Sequence, residues 1–201
     1  LRVLHTSDWH LGARMHDRPR LEEHRRFLDW LLELIVAREV DLLLVAGDIF
    51  DQANPPTDAR AMYYGFLARL HETKASTLIV AGNHDSASML EAPKDALKAL
   101  RTTVVGHGND AASMVVPVKD ASGQVAAWVC AIPFLRAGDL PAAPGGETLE
   151  ERHQRLNRGV EERYREVVDL ALAQRQPGQA LLGTGHLFAQ GGALSDTEGI
   201  D

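Results

Sequence analysis

Three short polar clusters, Asp8-Trp9-His10, Gly47-Asp48-Ile49-Phe50-Asp51 and Gly82-Asn83-His84-Asp85, each follow an apolar run and recur at intervals of about forty residues. This recurrence narrows the available folds more than any other feature of the chain. The runs themselves, Arg2-Val3-Leu4, Leu42-Leu43-Leu44-Val45-Ala46 and Thr77-Leu78-Ile79-Val80-Ala81, are short, rich in Val, Leu and Ile, and bounded by Gly or Asp. Strands buried on both faces of a parallel sheet have that texture, because neither face meets water. The clusters then sit at the strands' carboxyl ends, where open α/β sheets place their sites.

What lies between the clusters supports the same fold class. Arg20 to Arg38 repeats Leu21, Phe27, Leu28, Leu31, Leu34 and Ile35 near helical spacing, with Glu and Arg opposite. Pro55-Pro56-Thr57-Asp58 is a helix-start signal, and Asp58 to Glu72 carries Met62, Phe66, Leu67 and Leu70 on one side. A short helix is predicted over Pro93 to Leu100. The order β-α-β-α-β-α is that of a parallel sheet with right-handed crossovers, so an α/β fold is expected.

Beyond Leu100 the texture changes. Strands are predicted over Thr102 to Val105, Ser113 to Val118 and Val125 to Ile132, separated by turn signals at Gly108-Asn109-Asp110 and Asp120-Ala121-Ser122-Gly123. This region reads as antiparallel or mixed sheet. Arg136 to Gly146 reads as a loop, either a lid or an inert surface excursion. Leu149 to Gln174 is predicted as a long charged helix, and Gln179 to Gly183 as a strand leading into Gly185-His186. From Gln190 the chain turns Gly-rich and polar.

The spacing within the clusters carries the chemistry. Asp8 and His10, two apart at a strand end, project to the same side and can reach one cation. Asp48 can bridge two cations, since a carboxylate offers an oxygen to each. Asn83 supplies a neutral amide oxygen to the second ion, and His186 an imidazole. Mixed imidazole and carboxylate ligation suits Mn, Fe or Zn better than Ca. Two such ions polarise a phosphate and activate water for in-line attack, so no side-chain nucleophile is required. His84 reads as the proton donor to the leaving alkoxide or as a cation steadying the transition state, with Asp51 or Asp85 holding its ring.

Other residues carry plainer readings. His5 is expected to be a hydrogen-bonded structural residue, and His16, His24, His71, His107 and His153 to be solvated. Trp9 reads as packing beside the site, ahead of stacking on a base. Arg14, Arg18 and Arg20 either contact a phosphate backbone or form an ion-paired surface with Asp17, Glu22 and Glu23. The single Cys130 reads as a small core residue in a reducing compartment.

At 201 residues, 45% hydrophobic and 24% charged, the chain can bury one core, and one domain over residues 1–201 is expected. Glu33, Arg38, Glu39 and Asp41 interrupt the apolar stretch from Leu31 to Ala46, so no membrane span is predicted. Leu1 to Asp8 runs straight into a strand and leaves no apolar signal region, which points to a soluble cytoplasmic protein. The net charge of -7 argues against nucleic-acid binding by bulk attraction. It leaves a metal-centred nuclease open, because bound cations offset the carboxylates that hold them.

At these motifs the sequence resembles the calcineurin-like metallophosphoesterases, whose pattern is D-x-H, G-D-x-x-D, G-N-H-D or G-N-H-E, G-H and a final G-H-x-H. The wording Thr6-Ser7-Asp8-Trp9-His10-Leu11-Gly12, Ala46-Gly47-Asp48-Ile49-Phe50-Asp51 and Ala81-Gly82-Asn83-His84-Asp85-Ser86 is similar to the SbcD-like DNA repair nucleases within that superfamily. Met89-Leu90-Glu91-Ala92-Pro93 and Gly185-His186-Leu187-Phe188, leading to Ser195-Asp196-Thr197-Glu198, are similar too.

The resemblance implies an α/β/β/α sandwich with mixed sheets and flanking helices. It implies a Mn-dependent nuclease of double-strand-break repair and replication-fork processing, nucleoid-associated, acting as a 3′ to 5′ exonuclease on duplex ends and an endonuclease on single strands and hairpins. An SbcC-type ATPase partner and a homodimer are implied with it, the dimer contact falling on the helices around Asp58 to Glu72 and Ser86 to Leu100. Carried onto this chain, one metal takes Asp8, His10 and Asp48, the other takes Asp48, Asn83 and His186, and His84 is catalytic. The final G-H-x-H is absent after His186. The expectation is therefore a piece of a protein about twice as long, each ion short of one ligand, with weak metal affinity and little activity. Two tight Mn sites in a metal titration would contradict that.

Two alternatives share the sequence. A phosphomonoesterase or cyclic-nucleotide phosphodiesterase on the same scaffold would hydrolyse a small chromogenic phosphate ester and leave duplex DNA intact. A non-catalytic architectural subunit that binds DNA ends or an ATPase partner would hydrolyse neither substrate.

Overall fold

The computed structural model describes residues 1–120, 122–142 and 145–188. Its elements in chain order are β1 (Val3–Thr6), β2 (Arg14–Met15), β3 (Arg18–Pro19), α1 (Leu21–Ala37), β4 (Leu42–Ala46), α2 (Thr57–His71), β5 (Ser76–Val80), α3 (Ala87–Glu91), α4 (Lys94–Ala99), β6 (Thr102–Val105), β7 (Val115–Lys119), β8 (Val125–Ile132), α5 (Leu149–Gln174) and β9 (Ala180–Gly185). The first sheet runs β1-β4-β5-β6 with every pair parallel. The second runs β7-β8-β9, antiparallel at β7–β8 and parallel at β8–β9, and so is mixed.

Alternation along β4 shows how the layers stack. Leu43 and Val45 join Leu28, Leu31 and Ile35 of α1 and Phe66, Leu67 and Leu70 of α2 in one core. Leu42, Leu44 and Ala46 point the other way, into a second core with Val129 and Ala131 of β8 and Val167 and Ala171 of α5. A strand of period two that is apolar on both faces must be covered on both. The layers are therefore helix, sheet, sheet, helix, the expected α/β/β/α sandwich.

Several local expectations are corrected. Thr102–Val105, expected within the later antiparallel or mixed region, pairs parallel with β5 and completes the first sheet. The crossover that permits this is the short pair α3 and α4; α3 begins where the Ser86 hydroxyl accepts from the Met89 N–H at 3.3 Å. The strand expected from Ser113 begins at Val115, because Ala111–Met114 forms one 3-10 turn. The Asp110 carboxylate starts that turn by accepting from the Ala112 N–H at 3.1 Å. The hairpin β2–β3 was not expected; its turn residues His16 and Asp17 adopt left-handed backbone at φ 47° and 60°.

His24, expected to be solvated, is buried on α1 at 6% exposure, and burial lowers its pKa. Its place in the helix register, four before Leu28, turns it inward. His5 is exposed. Trp9 packs edge-on against Phe27 and Phe66, its indole N–H donating to the Thr6 hydroxyl at 3.0 Å. Cys130 is buried, which pushes its thiol pKa up. Arg14 donates to the Asp17 carbonyl, whereas Glu22 pairs with Arg25 and Arg26. Among the described residues no helix is long and apolar enough to cross a membrane. Ser195 to Glu198 lie outside the described residues.

Candidate metal centre

The chain leaving β1 stays alongside the chain leaving β4. The Asp8 N–H donates to the Gly47 carbonyl at 3.1 Å, the His10 N–H to Asp48 at 3.0 Å, and the Leu11 N–H to Ile49 at 2.9 Å. The first two clusters are thereby held side by side. Asp8, His10 and Asp48 all take left-handed backbone, at φ 56°, 45° and 50°. Such conformations in residues with a Cβ cost roughly 1 kcal/mol or more each and persist only where the surroundings impose them. Here the inter-loop hydrogen bonds impose them.

Glycines permit the close approach of the loops. A Cβ on Gly82 would overlap the carboxylate and amide nitrogen of Asp48; one on Gly47, at φ 87°, would overlap the His186 ring. Both glycines of the G-D and G-N pairs are required by contact.

Asp48 lies at the middle of the donor atoms, with 3% exposure. Its Oδ1 accepts from the His84 N–H at 3.0 Å, while Oδ2 lies 3.8 Å from His10 Nε2 and 3.4 Å from His186 Nε2. Asp8 Oδ1 is 4.0 Å from His10 Nε2, and Asn83 Oδ1 is 2.9 Å from His186 Nε2. The structure thus brings together all five expected ligands, Asp8, His10, Asp48, Asn83 and His186. The carboxylate and imidazole atoms fall into two sets, His10 with Asp48 and His84, and Asp8 with Asp48 and His186, each within 4.8 Å. The partition differs from the expected one, but Asp48 belongs to both sets, as a bridging ligand must.

This donor set fits divalent cations. His186 Nδ1 is 2.9 Å from the Ala46 carbonyl; a carbonyl only accepts, so Nδ1 carries the hydrogen and the Nε2 lone pair faces the Asn83 oxygen. In the neutral ring of that tautomer Nε2 is an electron-pair donor beside the Asn83 oxygen, so both atoms can turn to one cation. With metal–ligand bonds of about 2.1 Å, right-angled ligands stand roughly 3 Å apart and opposed ones about 4 Å. The observed separations of 2.9 to 4.0 Å span that range.

The catalytic candidates are placed less uniformly. His84 is exposed, its ring 5.0 Å from and nearly perpendicular to that of His10. Its Nδ1 lies 2.8 Å from the Asp51 backbone carbonyl. Asp51 therefore holds the ring through its main chain, and its carboxylate instead stands 3.6 Å from His10 Nδ1. Asp85 faces elsewhere: its buried carboxylate accepts from the N–H groups of Ile49 at 3.2 Å, Phe50 at 3.0 Å and Gly82 at 2.8 Å. Burial pushes its pKa up, and those three donors oppose the rise. The role expected for Asp85 at the His84 ring is replaced by that of a clamp between two ligand loops. Asp85→Ala leaves three buried donors unpaired, and a loss of about 3 kcal/mol or more in metal-free urea unfolding is expected. A loss under about 1 kcal/mol would refute the clamp.

The sequence reading missed Arg136. It lies in the expected loop, yet its guanidinium donates to the carbonyls of Gly82 and Asp85. A contact across more than fifty residues has no local sequence signal.

A parallel sheet with carboxylate, amide and imidazole donors gathered at its strand ends, layered on a mixed sheet, defines a metallophosphoesterase domain. The family model described as calcineurin-like phosphoesterase matches residues 1–186, and the chain belongs to that family. Over 197 residues it is 38% identical to the D subunit of the nuclease SbcCD from Escherichia coli strain K12, covering 98% of this chain and 48% of that protein. Over 149 residues it is 43% identical to the protein of the same name from Rhodobacter capsulatus, covering 70% of this chain and 37% of that one. The Staphylococcus saprophyticus protein of that name is 27% identical over 199 residues. The chain spans about half the length, or less, of these relatives.

Proposed function

We propose that this chain is the catalytic core of a DNA nuclease that hydrolyses phosphodiester bonds at a two-metal centre. The observation that carries the reading is Asp48, buried and shared by two imidazole-bearing donor sets. The relatives, which bear the name of the SbcCD nuclease, support nucleic acid as the substrate. When bound, two divalent cations, Mn by this reading, polarise the phosphate and acidify the attacking water. By the motif resemblance Asp8, His10 and Asp48 would hold one, and Asp48, Asn83 and His186 the other.

The remaining chemistry belongs to the side chains. With Nδ1 donating to the Asp51 carbonyl, His84 has only Nε2 free to exchange a proton. That atom gives its proton to the leaving alkoxide, and the exposed position of the ring suits a group that meets substrate. Duplex ends degraded 3′ to 5′, nicking of single strands and hairpins, an SbcC-type ATPase partner and a homodimer through α2, α3 and α4 complete the proposal. They rest on the relatives' name and the motif resemblance.

The test is digestion of end-labelled duplex DNA with Mn by the chain extended past Asp201, run beside a chromogenic phosphate monoester. The expected result is shortening of DNA from its 3′ ends and no release from the monoester. Monoester hydrolysis with intact DNA would replace the nuclease by a phosphomonoesterase.

A further inference from the structure

We infer that Arg136 is a positioning residue for the candidate metal centre, holding the Gly82–Asp85 loop from behind so that Asn83 and His84 face the reacting phosphate. The inference rests on the metal-centre reading above. The loop follows β5 without entering a helix or strand, so its carbonyls lack ladder partners. One terminal nitrogen of Arg136, carrying two hydrogens, lies 2.7 Å from the Asp85 carbonyl and 3.2 Å from that of Gly82, with the Asn83 carbonyl at 3.5 Å. Among the described residues no other donor reaches these three oxygens. A planar, permanently charged group suits convergent carbonyls, and charge-assisted bonds are the stronger kind.

The arginine is itself fixed from two directions. Its own N–H donates to the Asp139 carboxylate at 2.8 Å, and the Asp139 carbonyl accepts from Arg163 of α5 at 3.3 Å. Arg163 also donates to the Gly108 carbonyl at 2.7 Å. Two residues before Arg136, the Phe134 N–H donates to the Ala81 carbonyl at 2.8 Å, tying this segment to the end of β5. The Phe134 ring lies 5.8 Å from the guanidinium carbon. A chain of contacts thus runs from α5 through Arg136 to the backbone of Asn83, whose side chain meets His186. Groups that orient metal ligands from behind typically govern metal affinity by 10- to 100-fold.

The experiment is Mn titration followed by electron paramagnetic resonance, on the whole chain and on Arg136→Ala and Arg136→Lys. For Arg136→Ala the expected result is an affinity about tenfold weaker, a changed line shape of the bound Mn, and a lower kcat with KM within about twofold on a chromogenic phosphodiester. Arg136→Lys, which keeps the charge but not the fork, should recover part of the affinity. Should Arg136→Ala fail to fold, Arg136→Lys carries the same readouts. Unchanged Mn affinity and line shape would overturn the inference and leave the metal centre standing. A raised KM with unaltered Mn binding would also overturn it, making Arg136 a substrate contact. Absence of Mn binding by the unsubstituted chain would overturn the metal centre and this inference together.

Discussion

In the chain extended past Asp201, the Asp48→Ala variant is expected to lose both Mn ions and, with them, phosphodiester hydrolysis by about 10³-fold or more, because metal stabilisation of a transition state contributes several kcal/mol. Among the described residues no other belongs to both donor sets. Its Oδ2 faces His10 and His186 from one atom, while Oδ1 accepts from the His84 N–H. Removing the carboxylate therefore withdraws a ligand from each ion and frees the loop that carries Asn83 and His84. Asp48→Asn separates the two effects, keeping shape and one acceptor oxygen while discarding the charge. Calorimetric titration with Mn, beside a DNA digestion, reads the outcome; a variant that still binds two ions as the unsubstituted chain does would remove Asp48 from the bridge.

His84→Ala should give the opposite signature. A positioned proton donor contributes roughly 10²- to 10⁴-fold, so kcat should fall by that amount while Mn affinity stays within a few-fold. His84 also stands with His10 and Asp48 in one donor set, which makes the metal titration decisive. A parallel loss of Mn binding would make His84 a ligand and not the donor. Equal digestion by the variant would exclude any part for it in the reaction.

Why much of this was legible before the structure follows from locality. The ligand loops are read easily because each is three to five residues long and announced by a short strand, and Leu42–Ala46, Val125–Ile132 and Leu149–Gln174 fall at their expected bounds. What misled was long range. Thr102–Val105 carries no mark of the sheet it joins, since a short strand's partner is decided by the crossover before it. Asp85 looked like a partner for its neighbour His84, but a carboxylate beside three orphan amides goes to them, and two of those amides lie 35 and 36 residues away. Asp51 lies beside His84, yet its carbonyl makes the contact, and no side-chain argument anticipates a backbone acceptor.

The left-handed backbone at Asp8, His10 and Asp48 sets fold robustness against metal capture. Glycine or asparagine relieves such a conformation more readily than aspartate or histidine does. Changes that raise the melting temperature of the metal-free chain should thus accumulate at the positions where they erase ligands. A search for thermostable variants scored on folding alone would drift toward a sturdier but inert protein, so selection has to include metal occupancy from the first round.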